Sequence, residues 1–137
     1  MTGLEILLCL SLAGLEPEGP HFETQILPVL TKAGCNSGAC HGAAAGRGGL
    51  ALSLLGSNPG KDYESIVLAL KGRRIHKTQP GKSLILLKPS GKLDHGGDLA
   101  LPEDSRGYSL VGSWIAHGAK RGHPKPLLDW NIKATPS

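Results

Sequence analysis

"GCNSGACHG", residues 34–42, sets two thiols and an imidazole inside a run of small residues. Cys35 and Cys40 are separated by four residues, and His41 follows the second cysteine directly. Just upstream, Phe22, Ile26, Val29, Leu30 and Ala33 share one face of a 3.6-residue period, which predicts a helix over 21–34. Pro28 interrupts that pattern, so the helix either begins near Pro28 or kinks there. Gly34 is the expected stop, directly before the first thiol. Downstream, residues 42–60 are Gly-rich and contain the apolar cluster Leu50, Leu52, Leu54 and Leu55. This reads as a loop that dips back into the core.

Farther along, Asp62 is the expected N-cap of a second helix with Ile66, Val67 and Leu70 as its apolar stripe. Residues 84–87 predict one short helix between two turns. The last helix is expected from a cap at Asp104 or Ser105, with Tyr108, Val111, Trp114 and Ile115 on one face. Gly107 and Gly112 lie within it, and each costs a helix about 1 kcal/mol relative to Ala. Glycines there suit a close approach by another helix or a flat ligand. No internal repeat and no hairpin signal is present. The fold class is therefore mainly α, with long Gly-rich loops.

The chain has 137 residues, enough for one domain. Aromatic residues make up 4% of it, against 20 Gly and 10 Pro. So few rings leave a thin core, and small domains of this kind lean on a metal, disulfides or a cofactor. The net charge of +4 is unevenly spread. Residues 61–92 carry eight Lys or Arg against Asp62 and Glu64, whereas residues 94–104 carry Asp94, Asp98, Glu103 and Asp104 with no cation. A basic belt beside an acidic segment can steer a charged protein partner. Nucleic acid is not expected, because neither a basic helix nor an aromatic platform accompanies the charges.

The domain is expected over 21–119. Residues 1–20 hold a short apolar run, Ile6 to Leu15, too brief to span a bilayer. It resembles the apolar region of an export signal, but Glu5 precedes it and no Lys or Arg does. A short buried helix is the alternative. Cys9, within this run, has no nearby partner. Residues 120–137 read as a Pro- and Lys-containing linker, and "NIKATPS" alternates like the opening of a strand in a following domain.

Three chemistries suit the Cys-His cluster: a disulfide, a zinc ion and covalently attached haem. Zinc needs four donors in a tetrahedron, and adjacent Cys40 and His41 point apart, with no second cysteine pair to complete a site. A Cys35–Cys40 disulfide closes a very small loop and leaves His41 without a role. The pattern C-x2-C-H marks c-type haem attachment. There each thiol adds across one vinyl group to form a thioether, and the histidine after the second cysteine becomes the axial ligand. Two extra residues lengthen the loop between thioethers while keeping the Cys-His unit intact. The haem would also fill the thin core, packing on Leu50, Leu52, Leu54, Leu55, Leu84, Leu86 and Trp114.

Six-coordinate haem iron takes a second axial Met or His. The one methionine, Met1, lies ahead of the whole domain. The histidines to choose from are His21, His76, His95, His117 and His123. His95 leads on chain position over His76 and His117, since Gly96 and Gly97 after it let the backbone approach a flat ligand. Without any such histidine the iron would be five-coordinate, giving a sensor or a peroxidase-like domain. A structural zinc or Cys-His interaction module is the remaining alternative.

"ILPVLTKAGCNSGACHGAAAGRGGLALSLLG", "GRRI…PGKSLILLKPSGKLDHGG" and "WIAHGAK" resemble the cytochrome c-like domain of large secreted proteins of the planctomycete type. The resemblance runs from Phe22 to Lys120. It implies a small class I-like cytochrome c fold, whose first and last helices cross over a covalently bound haem c. It implies Cys35 and Cys40 as thioether sites, His41 as proximal ligand and His95 in the place of a distal ligand. Arg73 and Arg74 match a "GRR" stretch of the family, which implies pairing with haem propionates. The expected role is one-electron transfer with a redox partner protein rather than enzymatic catalysis. Other domains of a longer chain or neighbouring haem subunits are further expected partners. Haem attachment requires free thiols and haem outside the cytoplasm, so the periplasm or cell surface is the expected location.

Overall fold

The computed structural model describes residues 18–122. The apolar start, Met1, Cys9, His123 and the strand-like "NIKATPS" lie outside the described residues. Among the described residues there are helices and turns but no named strand, with one isolated bridge between Arg47 and Leu50. No helix among them is long and apolar enough to cross a membrane.

The first helix opens as a π-turn, Phe22–Ile26, and continues as α1, Leu27–Lys32, with Pro28 in its first turn. Proline is tolerated there because the first helical N–H groups have no intrahelical acceptor to lose. The helix ends in a Schellman motif. The Gly34 N–H donates to Thr31 O and the Cys35 N–H to Leu30 O, while Gly34 takes φ +77°. Both orphan carbonyls are satisfied, and the reversal delivers Cys35 at a defined point.

α2, Pro59–Tyr63, runs into a second π-turn, Glu64–Leu68. Its N-cap is Asn58, whose side chain accepts from the Lys61 N–H, and not Asp62. Asp62 is fully buried instead. It accepts from the backbone N–H of Ser53 at 2.5 Å and from the Ser53 hydroxyl at 2.7 Å. An acidic residue near a helix start looks the same in sequence whether it caps locally or anchors a distant loop. Leu70 also departs from its expected stripe. Leu70, Lys71 and Gly72 take successive left-handed conformations, φ 54°, 58° and 71°. That turn ends the helix and leaves Leu70 exposed. A non-glycine residue there costs about 1–2 kcal/mol, which tertiary packing must offset.

α3 is Leu84–Leu87 and α4 is Arg106–Ala116. Ser105 caps α4, its hydroxyl accepting from the Tyr108 N–H at 3.1 Å. The helix ends as α1 does: the Gly118 N–H donates to Ile115 O and the Ala119 N–H to Trp114 O. Gly107 allows close approach, since a methyl there would meet Val29 and Leu101 at 3.0 Å. The first and last helices meet at an aromatic junction. Phe22 lies 5.5 Å from Trp114 and 5.3 Å, edge-on, from Tyr63. Around these rings pack Ile26, Leu30, Ile66, Leu86, Val111 and Ile115, all essentially buried. Three of the five aromatic residues are thus spent in one place.

Replacing Asp62 by Ala strands both Ser53 donors. The expected loss is about 2–3 kcal/mol of unfolding free energy, with Asp62→Asn losing less because one acceptor oxygen remains. Urea denaturation followed by tryptophan fluorescence measures both, and an unchanged midpoint for Asp62→Ala would contradict the anchor.

Candidate functional site

Beyond the Schellman stop, the segment 35–42 coils on its own backbone. The Cys40 N–H donates to Ser37 O at 3.0 Å, the His41 N–H to Cys35 O at 3.0 Å and the Gly42 N–H to Ser37 O at 2.9 Å. Asn36 is fully buried within this coil. Its side-chain NH2 donates to the Thr31 hydroxyl at 2.8 Å, and its backbone carbonyl accepts from the Leu55 N–H at 3.1 Å, while the side-chain oxygen is buried without a partner. Gly42 packs so tightly on the Asn36 carbonyl that a Cβ would overlap it. Gly38 and Ala39 lie on the exposed outer side of the coil. Cys35 and Cys40 are free thiols.

The Gly-rich loop then returns to His41. The Leu52 N–H donates to His41 O at 2.8 Å. His41 Nδ1 lies 3.0 Å from Leu50 O and 3.1 Å from Arg47 O. Carbonyls only accept, so Nδ1 carries the proton and Nε2 presents its lone pair. This is how a metal-binding histidine is held by its surroundings: one nitrogen is tied to the backbone and the other is left to bind.

His95 faces His41. Their ring centroids are 6.1 Å apart with planes 21° from parallel. His95 Nδ1 is buried and has no hydrogen-bond partner. Burial holds its pKa below the ordinary histidine value, helped by the charges of His41 and Lys88 and opposed by Asp94.

Both histidines line a cleft of about 670 Å³, within the size range of sites that enclose a cofactor. Of the side chains singled out by sequence, Cys35, Cys40, His41, Leu52, Arg73, Arg74 and His95 line this cleft. Leu50 and Leu84 line it too. Trp114 does not. It lies 1% exposed in the aromatic junction, and its indole N–H donates to Lys120 O at 2.7 Å. Its place on the buried face of α4, against Phe22, takes it from the cleft. Leu86 is likewise spent in the core, while Leu54 and Leu55 point to solvent at 54% and 64% exposure.

The other described histidines do not line the cleft. His21 Nε2 is 3.8 Å from Glu18. His76 Nδ1 accepts from the Gln79 N–H at 3.1 Å. His117 Nδ1 donates to Ser113 O at 2.7 Å.

Arg74 is 6% exposed. Its guanidinium donates to Ser65 O at 2.9 Å and to Gly49 O at 2.5 Å. The ion pairs among the described residues leave it without a carboxylate. Burial, and then the neighbouring Arg73, hold its pKa below the usual arginine value. Arg73, Lys32, Arg47 and Lys88 add to the positive lining, against Asp94 and Asp98. Such a cleft favours an anionic ligand.

Burial, with the Cys40 thiol beside it, pushes the Cys35 thiol up to about 11. Among the described residues, no group of three or more His, Cys, Asp or Glu side chains converges as a metal-holding set.

Sequence reasoning missed Asn36, the Arg47 and Leu50 carbonyls, and Lys88. A buried asparagine between two small residues carries no local mark, and backbone acceptors are silent in sequence. Neither protein-family models, nor curated proteins, nor solved structures match this chain.

The thiolate is the reactive form of cysteine, so a raised pKa slows alkylation. At about pH 8 iodoacetamide should modify Cys35 of the cofactor-free chain at least ~10-fold more slowly than a peptide thiol, with the rate climbing toward about pH 11. Peptide mapping by mass spectrometry reads this; a Cys35 rate equal to the peptide's would contradict its burial.

Proposed function

We propose that this chain carries a mono-haem c-type cytochrome domain for one-electron transfer, with thioether links at Cys35 and Cys40 and axial ligation by His41 and His95. The observation that carries the reading is the His41–His95 pair, with ring centroids 6.1 Å apart, lining one cleft together with both thiols. Haem would supply an iron that gains and loses one electron. The chain's residues supply everything else. Cys35 and Cys40 would hold the haem covalently, each through a thioether sulfur. His41 offers Nε2 because two carbonyls hold its Nδ1 proton. Leu50, Leu52 and Leu84 exclude water from the cleft wall. Arg74, buried without a carboxylate, offers a positive charge to a propionate, and Arg73 stands beside it at the exposed rim.

The packing of Phe22 on Trp114, which joins the first helix to the last, supports a class I-like cytochrome c arrangement. Paired histidines set a lower reduction potential than a His/Met pair, since an axial Met raises it. The basic stretch beside the cleft suits an acidic redox partner protein. Covalent haem attachment implies maturation outside the cytoplasm, in the periplasm or at the cell surface.

Expression with a haem-attachment system should give a protein whose pyridine haemochrome reports one covalent haem and whose reduced spectrum is low-spin with a sharp α-band. His95→Ala should convert the spectrum to high-spin while keeping the haem attached, and Cys40→Ser should lose one thioether. Absence of an α-band, or stoichiometric zinc in place of iron, would overturn the reading.

A further inference from the structure

The two histidines are held very differently. His41 sits in a coil closed by its own backbone, with Nδ1 tied to two carbonyls. His95 sits in the segment 94–100, which makes no backbone–backbone hydrogen bond among the described residues. That segment is pinned at its two ends only. The Leu93 N–H donates to Leu87 O and the Leu101 N–H to Pro89 O, both at 3.0 Å. The two pins fall two residues apart, at the end of α3, so the segment leaves and rejoins the fold at nearly one point. Leu101, just past the second pin, is buried at 3% exposure.

Inside the segment hydrogen bonds are few. The one further bond is a long one, from Lys88 Nζ to Asp94 O at 3.5 Å. A methyl on Gly96 would meet no atom within 4 Å, and one on Gly97 would meet only the His95 ring. Leu99 is 60% exposed. His95 Nδ1 is buried without a partner, so withdrawal from the cleft would restore its hydrogen bond to water. A histidine ligand whose second nitrogen lacks an acceptor is also less basic and less firmly oriented.

Resting on the axial pair proposed above, we infer that residues 94–100 form a hinged flap. The flap carries His95 off the cleft and opens the position opposite His41 to a small π-acceptor ligand such as carbon monoxide. The exchange is a substitution at iron. The bond to His95 nitrogen breaks, a bond to the ligand's donor atom forms, and no electron is transferred. His41 does not exchange, because its loop is closed and its second nitrogen is satisfied. The domain would then serve as an electron carrier with the flap shut and as a ligand-binding site with it open, the populations set by ligand concentration.

Carbon monoxide mixed rapidly with the dithionite-reduced, haem-loaded full chain tests this by its absorption change. The wild-type rate should rise with carbon monoxide and then level off, limited by departure of His95. His95→Ala should abolish the plateau and tighten apparent affinity at least ~10-fold, since the competent state no longer has to be populated first. A low-spin wild-type protein that takes up no carbon monoxide overturns the flap and leaves the axial pair standing. A wild-type rate that stays linear and equals that of His95→Ala also overturns the flap alone. A high-spin wild-type spectrum overturns both. Carbethoxylation of histidine on the wild-type holoprotein is a second readout, independent of the variant. Carbon monoxide should speed modification of His95, read by peptide mass spectrometry, and leave His41 unmodified, and equal modification of His95 with and without the gas would overturn the inference.

Discussion

The bond from His41 Nδ1 to the carbonyls of Leu50 and Arg47 is the constraint on which the site depends. It joins the Cys-His coil to a loop otherwise made of Gly and Ala, which have no side chains able to hold it. One proton satisfies two carbonyls, selects the histidine tautomer and turns the Gly-rich segment back toward the core. Leu50 and Leu52 are buried as a consequence. Ser53, a residue farther on, is then caught by Asp62 on α2. The chain from the first thiol to the second helix is thus a relay of local hydrogen bonds rather than a hydrophobic layer.

That economy follows from composition. Phe22, Tyr63 and Trp114 cluster where the first, second and last helices meet, and the cleft is left to aliphatic side chains and cations. Among the described residues, the half that holds these three rings gains much of the packing. The other half is a concave surface with two thiols, two imidazoles and a buried guanidinium. A planar apolar cofactor with acidic edges would complete it, covering the leucines and neutralising Arg74.

Arg74 illustrates how the site is held in readiness. Its guanidinium is fixed by the Ser65 and Gly49 carbonyls, so it is oriented without being neutralised. A buried cation paired only with neutral acceptors is costly, and the cost is reduced when an anion arrives. The left-handed turn at Leu70, Lys71 and Gly72 sets the direction in which the chain enters this stretch.

Much was legible locally. The apolar period of the first helix, the stop at Gly34 and the Ser105 cap are each read within a few residues, because helix caps and stops are short-range constraints. What stayed hidden required distant parts of the chain to meet. Trp114 has the same local pattern whether it faces a cleft or Phe22, and the packing of the first helix against the last decided it. Asp62 looks like a cap until Ser53 arrives from another loop. The histidines other than His41 are chemically alike, and sequence ranks them only by their neighbours. The pinning of residues 93 and 101 at the end of α3 brings His95 beside His41, because the backbone bonds to Leu87 and Pro89 close that loop at the cleft, and no side-chain identity encodes where a closed loop will land.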